Sequence, residues 1–142
     1  MNWRKVTEAD VEASLSHSEI DAFRRSAAEC DDPVEAQIAD TVAYVRGIVR
    51  SSPAHVRMDP DASTLPASLI RPAMDYLRYA VLTRQNVIVN ESRTKAYEKA
   101  CELFADVRAG RFIPESVTED PDAGTVAGSP VAGSARPPRL LD

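Results

Sequence analysis

Over the first 113 positions the aliphatic residues recur at steps of three and four, with glycine nearly absent, which is the period of a helix face rather than the alternation of a half-buried strand. The pattern predicts an all-α fold: a small bundle of three long helices at about 33–51, 66–84 and 92–109, preceded by two short N-terminal helices. In the first long helix Val34, Ile38, Val42, Val45 and Val49 step along one face, while Glu35, Asp40, Arg46 and Arg50 lie elsewhere. Its start carries the clearest signal in the chain. Asp32 accepts from the orphan amides, Pro33 suits the first helical position and Glu35 adds charge to the first turn, and Pro53 closes the far end. The second places Ile70, Met74, Leu77 and Val81 in register, with Pro72 near enough to its start to be tolerated. The third buries Tyr97, Ala100, Phe104 and Val107, and Gly110 stands where a left-handed cap is wanted, with Phe112 folding back on the last turn.

Upstream, Thr7 with Asp10 marks a first short helix ending near Leu15, and Ser18 with Asp21 a second running to about Glu29, with Ile20, Phe23 and Ala27 as its apolar side. Trp3 has no evident place in this core; it is an anchor for the N-terminus or a partner contact. Residues 52–65 form a connection long enough to read as a contact loop. After Ile113 the composition changes. Residues 114–142 hold five of the ten prolines and three of the five glycines, too little apolar surface to offset chain entropy, so a flexible Pro/Gly-rich tail is expected after a helical domain of residues 1–113.

Charge narrows the function classes. The 142 residues carry a net charge of −5, which disfavours a general nucleic-acid binder. No apolar run follows Arg4-Lys5 as in a secretory signal, and no stretch has the roughly 20 apolar residues of a membrane helix, so an intracellular protein without membrane contact is expected. Cys30 and Cys101 make no C-x-x-C pair, consistent with a reduced compartment, and Cys101 reads as a small core filler.

Candidate chemistry is sparse. His17 lies between Ser16 and Ser18, but adjacent Ser and His do not by themselves make a nucleophile and base, which need facing side chains and an orienting acid, so His17 reads as a helix-boundary residue. The Asp59-Pro60-Asp61 run imitates a calcium loop, but the twelfth position from Asp59 is Ile70 where a bidentate Glu is required, and the run at Asp120 ends likewise on Val131. No metal, cofactor or catalytic residues are expected, and no enzyme. Tyr44, Tyr76, Tyr79 and Tyr97 sit on three helices as core-edge residues. Arg71, Asp75 and Arg78 lie on one helical stripe, an ion-pair ladder or a contact with a neighbouring subunit. Together with His55, Asp59 and Asp61 in the 52–65 loop, and Arg136, Arg139, Leu140 and Leu141 in the tail, they are the candidate subunit or partner contacts.

The order of elements over residues 5–113 resembles the head-tail connector (adaptor) proteins of tailed bacteriophages, including the Mu-like branch. The carriers are Val6-Thr7-Glu8-Ala9-Asp10-Val11, the helix from Ala36 to Arg46, Leu65-Pro66 before the helix with Met74-Asp75-Tyr76-Leu77-Arg78-Tyr79, and Tyr97-Glu98-Lys99-Ala100 through Ala109-Gly110. The resemblance implies a structural virion protein at the head-tail junction. It would assemble in the host cytoplasm as a ring of about twelve copies, dock beneath the portal protein, meet a tail-side connector or tail terminator, and let DNA pass its lumen without sequence-specific binding. The chain departs from compact members of that family in its Pro/Gly-rich tail. The alternatives are a tail completion protein, a small helical DNA-binding regulator using Arg24-Arg25 on the second short helix, and a ligand carrier or enzyme with a pocket between helices.

Overall fold

The computed structural model describes residues 2–26 and 32–117. In chain order the elements are β1 (Trp3–Lys5), α1 (Glu8–Glu12), α2 (His17–Ser26), α3 (Pro33–Arg50), β2 (Thr64–Pro66), α4 (Ala67–Arg84) and α5 (Glu91–Ala109). The fold is all-α in character, a small bundle of three long helices with two short ones before them.

The long helices begin and end where their local chemistry dictates. The Asp32 carboxylate accepts from the Val34 amide at 3.0 Å ahead of Pro33. Asn90 accepts from the Arg93 amide at 2.8 Å to start α5, and Gly110 ends it in the left-handed region at φ 83°. The expected apolar stripes are the core: Val34, Ile38, Val42, Val45 and Val49 of α3, Ile70, Met74, Leu77 and Val81 of α4, and Ala100, Phe104 and Val107 of α5 are all buried. Helices α4 and α5 pack along each other across the turn at 85–90, with α3 against both. Each fully buried aliphatic side chain contributes about 1.5–3 kcal/mol, so this seam carries most of the stability.

Four features depart from the sequence-based expectation. First, α2 is capped two residues earlier than Ser18–Asp21: Ser16 donates its amide to Glu19 at 2.9 Å, and its hydroxyl accepts from the Glu19 amide at 3.2 Å. The expected continuation to Glu29, with Ala27, lies outside the described residues. Second, β1 and β2 pair antiparallel, Trp3 opposite Pro66 and Lys5 opposite Thr64. This places Trp3 fully inside the core rather than at a frayed end. Third, Arg46 is buried, not on a solvated face. Its guanidinium donates to the carbonyls of Asp59 (2.7 Å), Asp61 (3.0 Å) and Thr64 (2.9 Å), and lies 5.6 Å from the Trp3 ring centroid. The 52–65 connection is thus wound about one cation from α3.

Fourth, the domain continues past Ile113. Pro114 is buried, Trp3 donates its indole N–H to the Glu115 carbonyl at 2.7 Å, and Asn2 donates to the Ser116 carbonyl at 2.5 Å. The Val117 amide donates to the Arg57 carbonyl at 2.8 Å. The segment 114–117 is held by these hydrogen bonds together with buried Pro114 and with Val117 packed against the core, pairings with distant residues that composition could not reveal. Residues 118–142 lie outside the described ones.

Candidate functional site

The predicted stripe of α4 forms one wall of a shallow pocket of about 300 Å³, whose opposite wall comes from β1 and α1. Arg4 donates to both carboxylate oxygens of Asp10, at 2.7 and 3.1 Å. The Arg4 guanidinium holds the Asp10 carboxyl below its ordinary range, aided by the Thr7 amide and opposed by partial burial. Across the pocket, Arg78 reaches Asp75 only at 3.5 Å, and its Nε is buried without a hydrogen-bond partner. Arg71 is exposed and forms no ion pair among the described residues. The expected ladder is therefore half built: Asp75 serves Arg78 weakly and Arg71 not at all. Three guanidinium groups face two carboxylates, leaving room for an acidic side chain or another anion from outside.

A second surface adjoins it. Counting about 100° per residue along α4, the stripe of Tyr76 and Tyr79 lies roughly 100° around the helix from that of Arg71, Asp75 and Arg78. Instead of separate core-edge residues, the four tyrosines form one stack. Tyr44 and Tyr76 stack with centroids 4.9 Å apart, Tyr76 and Tyr97 at 5.8 Å, Tyr79 and Tyr97 at 3.9 Å, with Phe104 edge-on beneath. Tyr44 is 42% exposed at the outer end. Cys101, expected in the core, is half-buried beside the stack. Hydrogen bonding to Cys101, and then burial, push Tyr97 up to about 12. Burial first, and then the neighbouring Tyr44 and Cys101, push Tyr76 up as well. At the α4–α5 turn Ile88 is 95% exposed, with Val87 beside it.

A third concavity, an apolar groove of about 690 Å³, runs between α3 and the segment from Lys5 to Glu8, closed at one side by Asp61–Ser63. The periodicity had no means of showing it, because its floor residues Ile38 and Val42 belong to the stripe already assigned to the core.

Of the loop residues expected as contacts, Asp59 and Asp61 also take part in the loop's own hydrogen bonding. Asp59 is buried and its carboxylate accepts from the Asp61 amide at 2.8 Å. Asp61 accepts from the Ser63 amide and hydroxyl at 2.9 and 2.7 Å, which holds its carboxyl below the usual range. His55 is exposed in the left-handed region at φ 55° and is not gathered with these acids: among the described residues no three His, Cys, Asp or Glu side chains come together as a metal-ligand set. Arg136, Arg139, Leu140 and Leu141 lie outside the described residues. Arg24, one of the pair suggested for DNA, is engaged by Glu8 at 2.5 Å and Asp32 at 3.2 Å, while Arg25 is exposed. No helix among the described residues is long and apolar enough to cross a membrane.

Comparison with protein-family models, with curated proteins and with solved structures finds no match to this chain. Its function is therefore read from its surfaces.

Proposed function

We propose that the chain is a structural subunit of a tailed-phage particle, a head-tail connector whose copies close into a ring beneath the portal protein. The reading rests on the resemblance in element order. The observation that best supports it is the presence of two unlike, adjacent surfaces on one small body: the half-paired arginine pocket and the stacked tyrosine face. A ring needs a heterologous contact, in which one patch meets a different patch on the next copy, and aromatic and arginine side chains are the residue types that dominate such contacts. In this scheme an acidic group of the neighbour pairs with Arg71 and Arg78, and tyrosines bury the apolar part of the contact. The portal acts as template, so each weak contact gains from repetition around it. The tail-side connector or tail terminator takes the opposite face, and the net negative charge lets DNA slide through the lumen.

Co-sedimentation of the full chain with DNA-filled tailless heads, or with portal from the parent virus, tests this. Binding at a fixed multiple of the portal, about twelve chains per ring, is the expected result. Arg71→Glu and Tyr44→Ala, both at exposed positions, reduce it without loss of helical signal. A folded chain that does not sediment with either particle overturns the proposal and leaves tail completion or DNA binding to be tested.

A further inference from the structure

The groove between α3 and the Lys5–Glu8 segment is chemically matched to a segment of this same chain. Its floor is apolar, made by Val6, Ile38 and Val42, with the small exposed side chains of Ala39 and Ala43 keeping it open, and its volume of about 690 Å³ is that of a ligand site rather than a packing gap. Its rim is acidic: of the charged residues that line it, Lys5 is the one base against Glu8, Glu35 and Asp61, and of these acids Glu8 is already engaged by Arg24 from outside the groove, which leaves Glu35 and Asp61. Glu35 is exposed and has no ion-pair partner among the described residues. A natural occupant therefore carries large aliphatic side chains next to positive charge.

Residues 118–142 contain one such segment, Arg136-Pro137-Pro138-Arg139-Leu140-Leu141, which holds the only two leucines and the only two basic residues of that stretch. We propose that this segment docks in the groove, Leu140 and Leu141 on the apolar floor and Arg136 and Arg139 toward Glu35 and Asp61. Pro137 and Pro138 fix φ in advance, which lowers the cost of ordering an extended segment. The chain path allows it. Val117, the last described residue, is bonded to Arg57 in both directions, its amide donating to the Arg57 carbonyl at 2.8 Å and its own carbonyl accepting from the Arg57 guanidinium at 3.2 Å. Arg57 belongs to the same loop as Asp61, the groove wall. Residues 118–135 span at most about 60 Å when extended, against a body of roughly 13 Å radius of gyration, so the segment reaches the groove of its own copy or of a neighbour. The proposal does not depend on the ring, since groove and occupant belong to one chain.

The test is methyl NMR on the full chain. A segment tethered at an effective concentration of about 1 mM, with an intrinsic Kd of about 0.1 mM, is docked roughly nine-tenths of the time. Direct contacts from the Leu140 and Leu141 methyls to those of Val6, Ile38 and Val42 are expected, and Leu140→Ala with Leu141→Ala shifts the groove signals. Ala43→Arg, on the exposed side of α3, weakens docking about tenfold and lowers the docked fraction to roughly one-half. Contacts that persist on dilution place the segment in its own groove; contacts that appear only as the mass by light scattering rises place it in a neighbour's, and either result supports the docking. If no methyl contact is seen and the double leucine variant leaves the groove signals unmoved, the proposal is wrong.

Discussion

Replacing Arg46 by alanine is expected to destabilise the domain by about 3 kcal/mol. The guanidinium is buried, and its hydrogens go to the carbonyls of Asp59, Asp61 and Thr64 and to the Thr64 hydroxyl at 3.2 Å. Each hydrogen bond from a charged donor is worth about 1.5–3 kcal/mol before the cost of burying the charge, and a carbonyl left buried without a partner costs about 1–3 kcal/mol. Water reaches the exposed end of the loop at Pro60 and Asp61, so one or two stranded carbonyls, near Thr64 and Asp59, carry the main cost. Loss of the cation over Trp3 adds about 0.5–2 kcal/mol. Against a domain stability of about 5–15 kcal/mol this lowers Tm by roughly 12 °C. Arg46→Lys keeps the charge but not the fork, and loses about half as much. Trp3, the single tryptophan, lies in the affected place, so urea unfolding followed by its fluorescence reads the change directly. Arg50→Ala, one turn on and exposed, is the control and stays within about 0.5 kcal/mol of the parent. A loss below about 0.5 kcal/mol for Arg46→Ala would refute the view that this cation organises the 52–65 loop.

Two glycines give opposite outcomes in thermal melts. Gly110→Ala costs about 1–2 kcal/mol, because φ is 83° and the new Cβ would stand 2.9 Å from the Pro53 ring, whereas Gly47→Ala in α3 meets nothing within 4 Å and gains about 0.5–1 kcal/mol. In acid, the Glu19 carboxyl is held below its ordinary 4.5 chiefly by Arg93, at 2.7 Å across α2 and α5. Its contribution, about 1 kcal/mol or less, is complete above pH 4.5 and fades as pH falls through the lowered value, so Glu19→Gln flattens the acid limb of the stability curve. In alkali, Tyr97 ionises near 12, and the stabilisation of its neutral form, complete below the ordinary tyrosine value of 10, disappears as pH rises to that point. Phenolate absorbance shows this late step, and Cys101→Ala moves it to lower pH; an unshifted step would remove the thiol from the account.

How much could be read from the sequence differs by element. The three long helices lay within one or two residues of expectation because their signals are local, with Asp32-Pro33 at one start and Gly110 at one end. The hairpin of β1 and β2 was illegible because three-residue strands are too short to show alternation and their pairing spans some sixty positions. Arg46 misled for a related reason. Periodicity assigns a charged residue to solvent, and nothing local reports that carbonyls of the 52–65 loop surround it. The α4 stripe of the candidate pocket was visible as Arg71, Asp75 and Arg78, since helical spacing fixes which residues share a face. The other wall, Arg4 and Asp10, arrives through the tertiary fold. The tyrosine stack was likewise hidden, its members being visible singly but their assembly set by how α3, α4 and α5 pack.

The hydrogen bonds from Asn2 and Trp3 to Ser116 and Glu115 bring the two margins of the domain to one spot. In topological terms the body is almost a closed circle of chain. Joining Val117 to Asn2 by a short linker and opening the backbone at the exposed Val87–Ile88 turn should give a circular permutant with the same helices. In that permutant the stitch becomes a local contact, while α4 and α5 must find each other from opposite ends. Because non-local pairing slows folding, the permutant separates how much of the folding rate belongs to the α4–α5 pair and how much to the closing of the ends.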